Sequence, residues 1–558
     1  MNAQQLRIVI VGGVAGGASA ATRARRLNEH AHIIMFEKDE HVSFANCGLP
    51  YYIGGEIEQR DKLLVATPEL FRGRFNIDVR TRQEVTAIHR ERREVEVLNH
   101  LTGNRYFQAY DRLILAPGAS PIVPPIEGVD APNVFTLRNL ADADRIKDQL
   151  TQHAPDHVTV IGAGFIGLEM VEQLVRLGVS VSLAELKDQV LPLMDAEMAE
   201  PLAEALRDAG VQPHLGDGIA ALERVGGRAS AVILNSGVRI ATDAVVMGIG
   251  VRPNTKLAQD AGLEIGAGGG IATNDHMQTS DPLIYAVGDA AEYTFGPTDQ
   301  PMRVPLAGPA NRAGRIAGEH AATGKSSPMA PVLGTAIVRV FEQSAGMTGL
   351  TMQSAERFGI AARSVTVIAG HHAGYFPGAE PITLKLVYSP DDRRVLGAQA
   401  VGAEGVDKRL DVIATAMRFC TTVDDLAGLD LAYAPPFGSA KDVIHMAAFA
   451  ACNDMDGVTR FVPADADLDD VQVLDVRTAD EVALTPLTDA PGAIHIPLGE
   501  LRGRLGELDP HRRTIVSCAT GLRAHVAARV LSQHGFDNVS VLSGGATVRN
   551  RTRRKEHV

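Results

Sequence analysis

Two stretches of the chain carry the same pattern: a short apolar run of β character, a glycine turn, then a helix-length segment. The first, RIVIVGGVAGGASAATRARRL, has its β-run at residues 7–11 and an Ala/Arg-rich helix after the turn. The second, HVTVIGAGFIGLEMVEQLVRLG, covers residues 157–178. Each is followed by another apolar run ending in an acid, IIMFE at Glu37 and VSVSLAE at Glu185. Such alternation predicts βαβ units, hence parallel sheets with helices on both faces. From about Pro331 the texture changes. Short β-like runs (TAIVRVF, SVTVIAG, TLKLVY, VLGAQAV) precede a helical stretch at 408–419. Residues 452–470 are polar and acidic, with Pro463 and several Asp, and read as a linker. Beyond them VQVLDVRT restarts an α/β pattern that runs to the end, where the basic tail RNRTRRKEHV reads as a frayed, solvated terminus. No repeat is visible beyond the two βαβ units.

Composition bounds the classes. The chain has 558 residues, and at roughly 100–200 residues per domain this implies three to five domains. Hydrophobic residues make up 45% and charged ones 22%, enough to pack cores rather than stay disordered. Lys+Arg 54 against Asp+Glu 67 leaves a net charge of −13, which argues against a nucleic-acid binder. No apolar run reaches the ~18–20 residues of a membrane span, and the first residues, MNAQQLRIVIVGG, lack a signal peptide's basic region and cleavage site. A cytoplasmic location is expected. Only 4 cysteines occur, too few for a disulfide scaffold, so each thiol is weighed singly. No metal site is expected.

The glycine turns suit dinucleotides. A phosphate-binding turn needs glycine for tightness, for close backbone approach and for helix–strand packing, and the helix start offers free N–H groups. Gly162-Ala-Gly164-Phe-Ile-Gly167 fits G-x-G-x-x-G fully, and Glu185 stands where a carboxylate would accept from a ribose hydroxyl and repel a 2′-phosphate. NADH is therefore expected over NADPH, with neighbouring Lys187 leaving NADPH open. The first turn has Val14 at the second motif position but keeps Gly12, Gly17 and the downstream acid Glu37.

Two later segments extend the match. TSDPLIYAVGD, ending at Asp289, resembles the second FAD fingerprint of two-dinucleotide flavoproteins, and LAPG at 115–118 and GIGVRP at 248–253 resemble their crossover segments. Residues 1–325 thus resemble the pyridine nucleotide-disulfide oxidoreductase family. The resemblance implies an α/β fold with two dinucleotide-binding domains, in which an NAD(P)H domain at about 120–248 interrupts the FAD domain. It also implies an α+β dimerisation domain at 326–451 that makes a homodimer. A linker at 452–465 and a further α/β domain at 466–558 complete the expected organisation.

The segment Ser43-Phe-Ala-Asn46-Cys47-Gly-Leu-Pro-Tyr-Tyr carries one cysteine where disulfide reductases of the family carry a Cys-x4-Cys pair. Cys47 would then act through a mixed disulfide, a persulfide or a sulfenic acid, with the thiolate as the useful species. The segment resembles the single-cysteine class of coenzyme A disulfide reductases and NADH-dependent persulfide or polysulfide reductases. The histidine of related peroxidases and oxidases falls on Ala15 here. By the same resemblance, tyrosines of the interface domain reach the partner subunit's cysteine pocket and act as general acids. They fall on Tyr375 and Tyr433; where many relatives have a second tyrosine at the first site, this chain has Phe376. Coenzyme A contacts fall on Ser19, Arg23, Arg26, Ser43, Asn46, Asn311 and Lys441. Arg23 and Arg26 lie on one helix face, and arginine suits phosphates.

Residues 466–558 resemble a rhodanese. The matches are LDVR at 474–477, GAIHIP at 492–497, and the strand–loop–helix IVSCATGLR, whose loop runs from Cys518 to Arg523. Such a loop points N–H groups at the sulfur and would stabilise a persulfide anion. Cys420 reads as core packing and Cys452 as an incidental thiol.

Together these resemblances imply an FAD-dependent reductase that passes electrons from NADH to oxidised Cys47 and releases sulfide from CoA persulfide, CoA polysulfide or polysulfide, with Cys518 handling sulfane sulfur. CoA-disulfide reduction is the alternative. A third reading, from another class, is a redox sensor signalling through a Cys47–CoA adduct.

Overall fold

The computed structural model of the chain describes residues 5–487, 489–490 and 492–553. Two compact units result, one from Met1–Leu186 and Asp217–Gly334, the other from Lys187–Gly216 and Thr335–Val558. The start of the chain at 1–4 and the end of the basic tail at 554–558 lie outside the described residues.

The first unit is built on two parallel sheets. Strand Arg7–Val11 lies at the centre of one, between Arg112–Leu115 and His32–Phe36, with Ile284–Ala286 and Asp78–Arg80 at the edges. Residues 8–11 of this strand are apolar and buried, as a strand with helices on both faces requires. Within this unit the second sheet runs Ser180–Glu185, His157–Ile161, Ala244–Met247, Val134–Thr136. Helix Ala15–Leu27 is rich in Ala and Gly for a packing reason. Helix Ala307–Thr323 crosses it so closely that a Cβ on Gly314 would lie 2.2 Å from the Gly16 carbonyl oxygen.

Two antiparallel excursions were not anticipated from sequence. One is Gln83–His89, Glu94–Asn99 and Arg105–Ala109; the other is Ile219–Val225, Arg228–Leu234 and Arg239–Ala241.

The second unit holds an antiparallel sheet in the order Ala336–Val340, Gln343–Gly349, Val395–Gly402, Pro381–Tyr388, Arg363–Gly370. Helix Val406–Arg418 covers it. The excursion Lys187–Gly216, taken from sequence as part of the inserted domain, packs with this unit: buried Lys385 reaches Asp195 at 2.8 Å and also binds Glu197. The C-terminal sheet is parallel, in the order Arg460–Val462, Val539–Leu542, Thr514–Ser517, Gln472–Asp475, Ile494–His495. Its core gathers Leu474, Val516, Ala527, Leu531 and Val541.

Three expectations need correction. The stretch 452–465 is not an irregular linker: it ends helix Val443–Met455 and supplies edge strand Arg460–Val462, which pairs with Val539–Leu542 along one side. The described part of the basic tail is not frayed. It continues helix Gly545–Arg553, where Arg549 is 1% exposed, paired with Asp489 and donating to the Ala464 and Ala466 carbonyls. Cys420 is not core packing. It follows the last helical turn in a left-handed conformation (φ 55°) and is exposed.

Candidate active site

The first unit contains a cleft of about 990 Å³ that runs past the first glycine turn to Cys47. Gly12, Glu37, Asn46, Cys47, Arg138 and Asp289 are among its lining residues. Two positions of the turn admit no side chain: Gly12 has φ +93°, and a Cβ on Gly17 would sit 1.8 Å from the Gly12 carbonyl oxygen. Val14, the departure from the glycine pattern, lines the cleft just before helix Ala15–Leu27. Glu37 is buried at the strand end and accepts from the Gly13 N–H at 2.9 Å and the Asp39 N–H at 3.1 Å. Burial pushes its carboxyl up, against those donors. Asp289 stands on the turn after Ile284–Ala286, pushed up by burial and drawn back by Arg138 at 3.7 Å. A long slot with a tight glycine turn at one end and carboxylates along it fits a dinucleotide such as FAD.

Cys47 lies in the short turn Asn46–Gly48, just before helix Leu49–Ile53. The residue is partly exposed, and its thiol donates weakly to Asn46 Oδ1 at 3.8 Å. The surroundings push the thiol up: desolvation first, then the negative charges of Glu169 and Asp289, with Arg138 opposing. Glu169 was not singled out in the sequence. It sits on helix Phe165–Arg176, directly after the second glycine motif, and accepts from the Tyr51 hydroxyl at 3.2 Å.

The second turn repeats the first. Gly162 has φ +100°, a Cβ on Gly167 would sit 1.8 Å from the Gly162 carbonyl oxygen, and one on Gly164 would meet nothing within 4 Å. Glu185 accepts from the Ala163 N–H at 2.7 Å, which holds its carboxylate at the turn.

Among the residues matched to CoA contacts, Ser19 Oγ donates to Asn311 Oδ1 at 2.6 Å, and Ser43 (φ 46°) and Asn46 precede Cys47 in its segment. Arg23 is engaged by Glu319 at 2.6 Å, while exposed Arg26 stacks its guanidinium 5.1 Å from the Phe75 ring centre. The one helix face expected for the two arginines therefore splits between two partners. In the second unit Lys441 is exposed, and Tyr375 and Tyr433 come together, their hydroxyls 2.7 Å apart.

Cys518 closes strand Thr514–Ser517 and is 1% exposed. The Gly521 N–H donates to its sulfur at 3.1 Å, and Arg523 forms a two-pronged pair with Glu481, a partner the sequence reading missed. The signal available was the Thr478-x-x-Glu481 helix start, which the structure forms as a capping box.

Among the described residues no helix is long and apolar enough to cross a membrane. A family model for the pyridine nucleotide-disulphide oxidoreductases matches residues 6–310, more than half of the chain. The chain belongs to that family. Its dimerisation-domain model matches 335–443, and a rhodanese-like domain matches 463–548. The family works with FAD and a nicotinamide nucleotide. A coenzyme A disulfide reductase of Staphylococcus aureus (strain bovine RF122 / ET3-1) is 39% identical over 80% of this chain and 99% of its own length. The structure of reduced Bacillus anthracis CoADR-RHD is 44% identical, with TM-score 0.95 over 100% of this chain and 99% of that one. An NAD-dependent persulfide reductase from A. fulgidus is 37% identical, with TM-score 0.91 over 97% of this chain and 100% of its own. The protein is thus a flavin-dependent disulfide oxidoreductase with a rhodanese domain.

Proposed function

We propose that the protein is an NADH-dependent reductase of CoA persulfide and related polysulfides, working through Cys47 and releasing sulfide. The observation that carries this reading is the rhodanese fold in the same chain, with Cys518 under a loop N–H. Such a site has sulfane sulfur to handle, and a simple disulfide brings none.

Gly12, Glu37 and Asp289, which line the cleft, with Gly17 packed against the Gly12 carbonyl, would hold FAD, and Gly162, Gly164, Gly167 and Glu185 would hold NADH. Cys47 thiolate attacks the CoA sulfur of the persulfide. A Cys47–CoA disulfide forms, the persulfide S–S bond breaks, and HS⁻ leaves. Tyr375, hydrogen-bonded to Tyr433, donates the proton that carries sulfide away. In the homodimer these tyrosines serve the partner subunit's cysteine, a placement supported by the dimerisation-domain match. Bound FAD and nicotinamide supply the two electrons that, with a proton, return the mixed disulfide to Cys47 thiolate and CoA thiol.

Ser19, Asn311, Ser43 and Asn46 position the CoA arm. Glu319 offsets Arg23, so of the two helix arginines Arg26 carries more of the phosphate contact. Residues 326–451 form the dimer-making domain and 466–558 the sulfur-handling one.

CoA-disulfide reduction is the second reading, favoured by the curated relatives that match 80% of the chain. The test is a pair of variants assayed for NADH-dependent sulfide release from small persulfides. Cys47→Ser is expected to abolish it and Cys518→Ser to spare it; full activity in Cys47→Ser overturns the mechanism.

A further inference from the structure

The two tyrosines of the second unit stand on separate loops. Tyr375 lies in 371–380, between strands Arg363–Gly370 and Pro381–Tyr388. Tyr433 lies in 428–442, between helices Val423–Ala427 and Val443–Met455. Neither loop has helix or strand of its own, and both side chains are exposed, Tyr375 by 75% and Tyr433 by 48%. Exposed side chains on irregular loops ordinarily sample many positions. A hydroxyl bond of 2.7 Å between these two therefore needs the loops to be held beneath it.

The loop bases meet on one side chain. Arg409, on helix Val406–Arg418, is 2% exposed. Its Nη2 donates at 2.6 Å to the His371 carbonyl, where the first loop begins, and at 2.6 Å to Asp442 Oδ2, where the second ends. Nε adds a bond to Asp442 Oδ1 at 3.3 Å, and Nη1 one to the Gly405 carbonyl at 3.3 Å. Asp442 is 4% exposed and also accepts from the Ile444 N–H at 3.1 Å, which caps helix Val443–Met455. From the same helix His445 Nε2 donates to the Leu429 carbonyl at 2.7 Å and ties down the start of the second loop. Two backbone bonds complete the frame. The His371 N–H closes the first loop on the Glu380 carbonyl at 2.8 Å, and the Ala373 N–H joins the loops at the Gly438 carbonyl at 3.0 Å.

One guanidinium can serve both loops because it presents five donors in a rigid fork, where an ammonium is a point charge. Burial makes the arrangement strict, since either member of a buried ion pair is costly without the other.

We propose that Arg409 is a positioning residue for sulfide release: with Asp442 it clamps the bases of the two tyrosine loops and so holds the Tyr375–Tyr433 pair in the geometry that donates a proton. The proposal rests on the tyrosines acting as acids, as in the function above.

The experiment is a double-mutant cycle on the full, flavin-loaded chain, reading kcat for NADH-dependent sulfide release from CoA persulfide. Its members are the wild type, Arg409→Lys, Tyr375→Phe and the pair together. Arg409→Lys keeps a charge opposite Asp442 but loses the fork, and is expected to lower kcat by roughly tenfold. In the Tyr375→Phe background the same change is expected to cost no more than about twofold, because no acid is left there to misplace. A merely structural role would take the same factor from both backgrounds. Flavin content and thermal unfolding report whether each variant is folded. If Arg409→Lys does not fold, Arg409→Met with Asp442→Asn goes through the same cycle, since it removes both buried charges and keeps a cap on the helix. Equal loss in both backgrounds overturns the proposal, as does wild-type kcat in the folded Arg409 variant. Wild-type kcat in Tyr375→Phe instead removes the acid reading beneath it.

Discussion

The Tyr375 and Tyr433 hydroxyls share a hydrogen bond of 2.7 Å across 58 residues of sequence. That bond pushes Tyr375 above the ordinary phenol value, so it keeps its proton through the neutral range. Tyr375→Phe is expected to lower kcat for sulfide release by about 10²-fold, the low end of general-acid contributions, with KM little changed. Because the hydroxyls act as a pair, adding Tyr433→Phe should cost less than its effect alone. Wild-type kcat in Tyr375→Phe would end the acid role.

Glu169 sets the thiol of Cys47 against its own ionisation. A carboxylate beside a thiolate disfavours it, so removing the charge must lower the thiol pKa. Glu169→Gln is expected to shift the midpoint of the pH profile for Cys47 alkylation to lower pH, with more thiolate at neutrality. An unmoved or higher midpoint contradicts this arrangement.

Gly167 has no room for a methyl, which would lie 1.8 Å from the Gly162 carbonyl oxygen. Gly167→Ala is therefore expected to weaken NADH binding by roughly tenfold or more while the flavin-to-protein ratio stays at the wild-type value. Titration calorimetry with NAD⁺, which leaves the flavin oxidised, and the flavin spectrum measure the two independently, and unchanged nucleotide affinity speaks against the turn as the nucleotide site.

Lys385 ties the excursion helix Ala196–Asp208 to the interface sheet by a buried bridge to Asp195 and Glu197. Lys385→Met leaves two carboxylates without their cation and is expected to destabilise by about 3–5 kcal/mol in urea unfolding. Burial pushes the Asp195 carboxyl up, but Lys385 and donors from Gln353 and Gln399 push it further down, leaving it below the ordinary value. A carboxyl depressed in the folded chain stabilises above its unfolded pKa and loses that contribution as pH falls through the folded one. The variant's deficit should thus be full at pH 7 and shrink as pH drops below about 4. A deficit that grows on acidification contradicts the bridge.

The parts of the fold legible in the sequence are those written by glycine and apolar runs. Strands Arg7–Val11 and His157–Ile161 each end in a turn that only glycine can make, and Cys47 and Cys518 sit in motifs of fixed spacing. Strands with charged or small residues carry no such mark. Gln83–His89 mixes apolar and polar positions without a regular alternation, and Gln343–Gly349 is mostly Gly, Ser and Thr. Arg549 looks like part of a solvated tail because its burial depends on Asp489 and two carbonyls more than fifty residues away. Glu169 and Glu481 were missed for the same reason: both read as ordinary helix residues, and only the fold brings them to Cys47 and Arg523.

The most direct test of the central claim is kcat/KM for CoA persulfide and for CoA disulfide, measured on one flavin-loaded preparation with NADH. A higher value for CoA persulfide is predicted. A far higher value for CoA disulfide would contradict the account and make the protein a CoA-disulfide reductase.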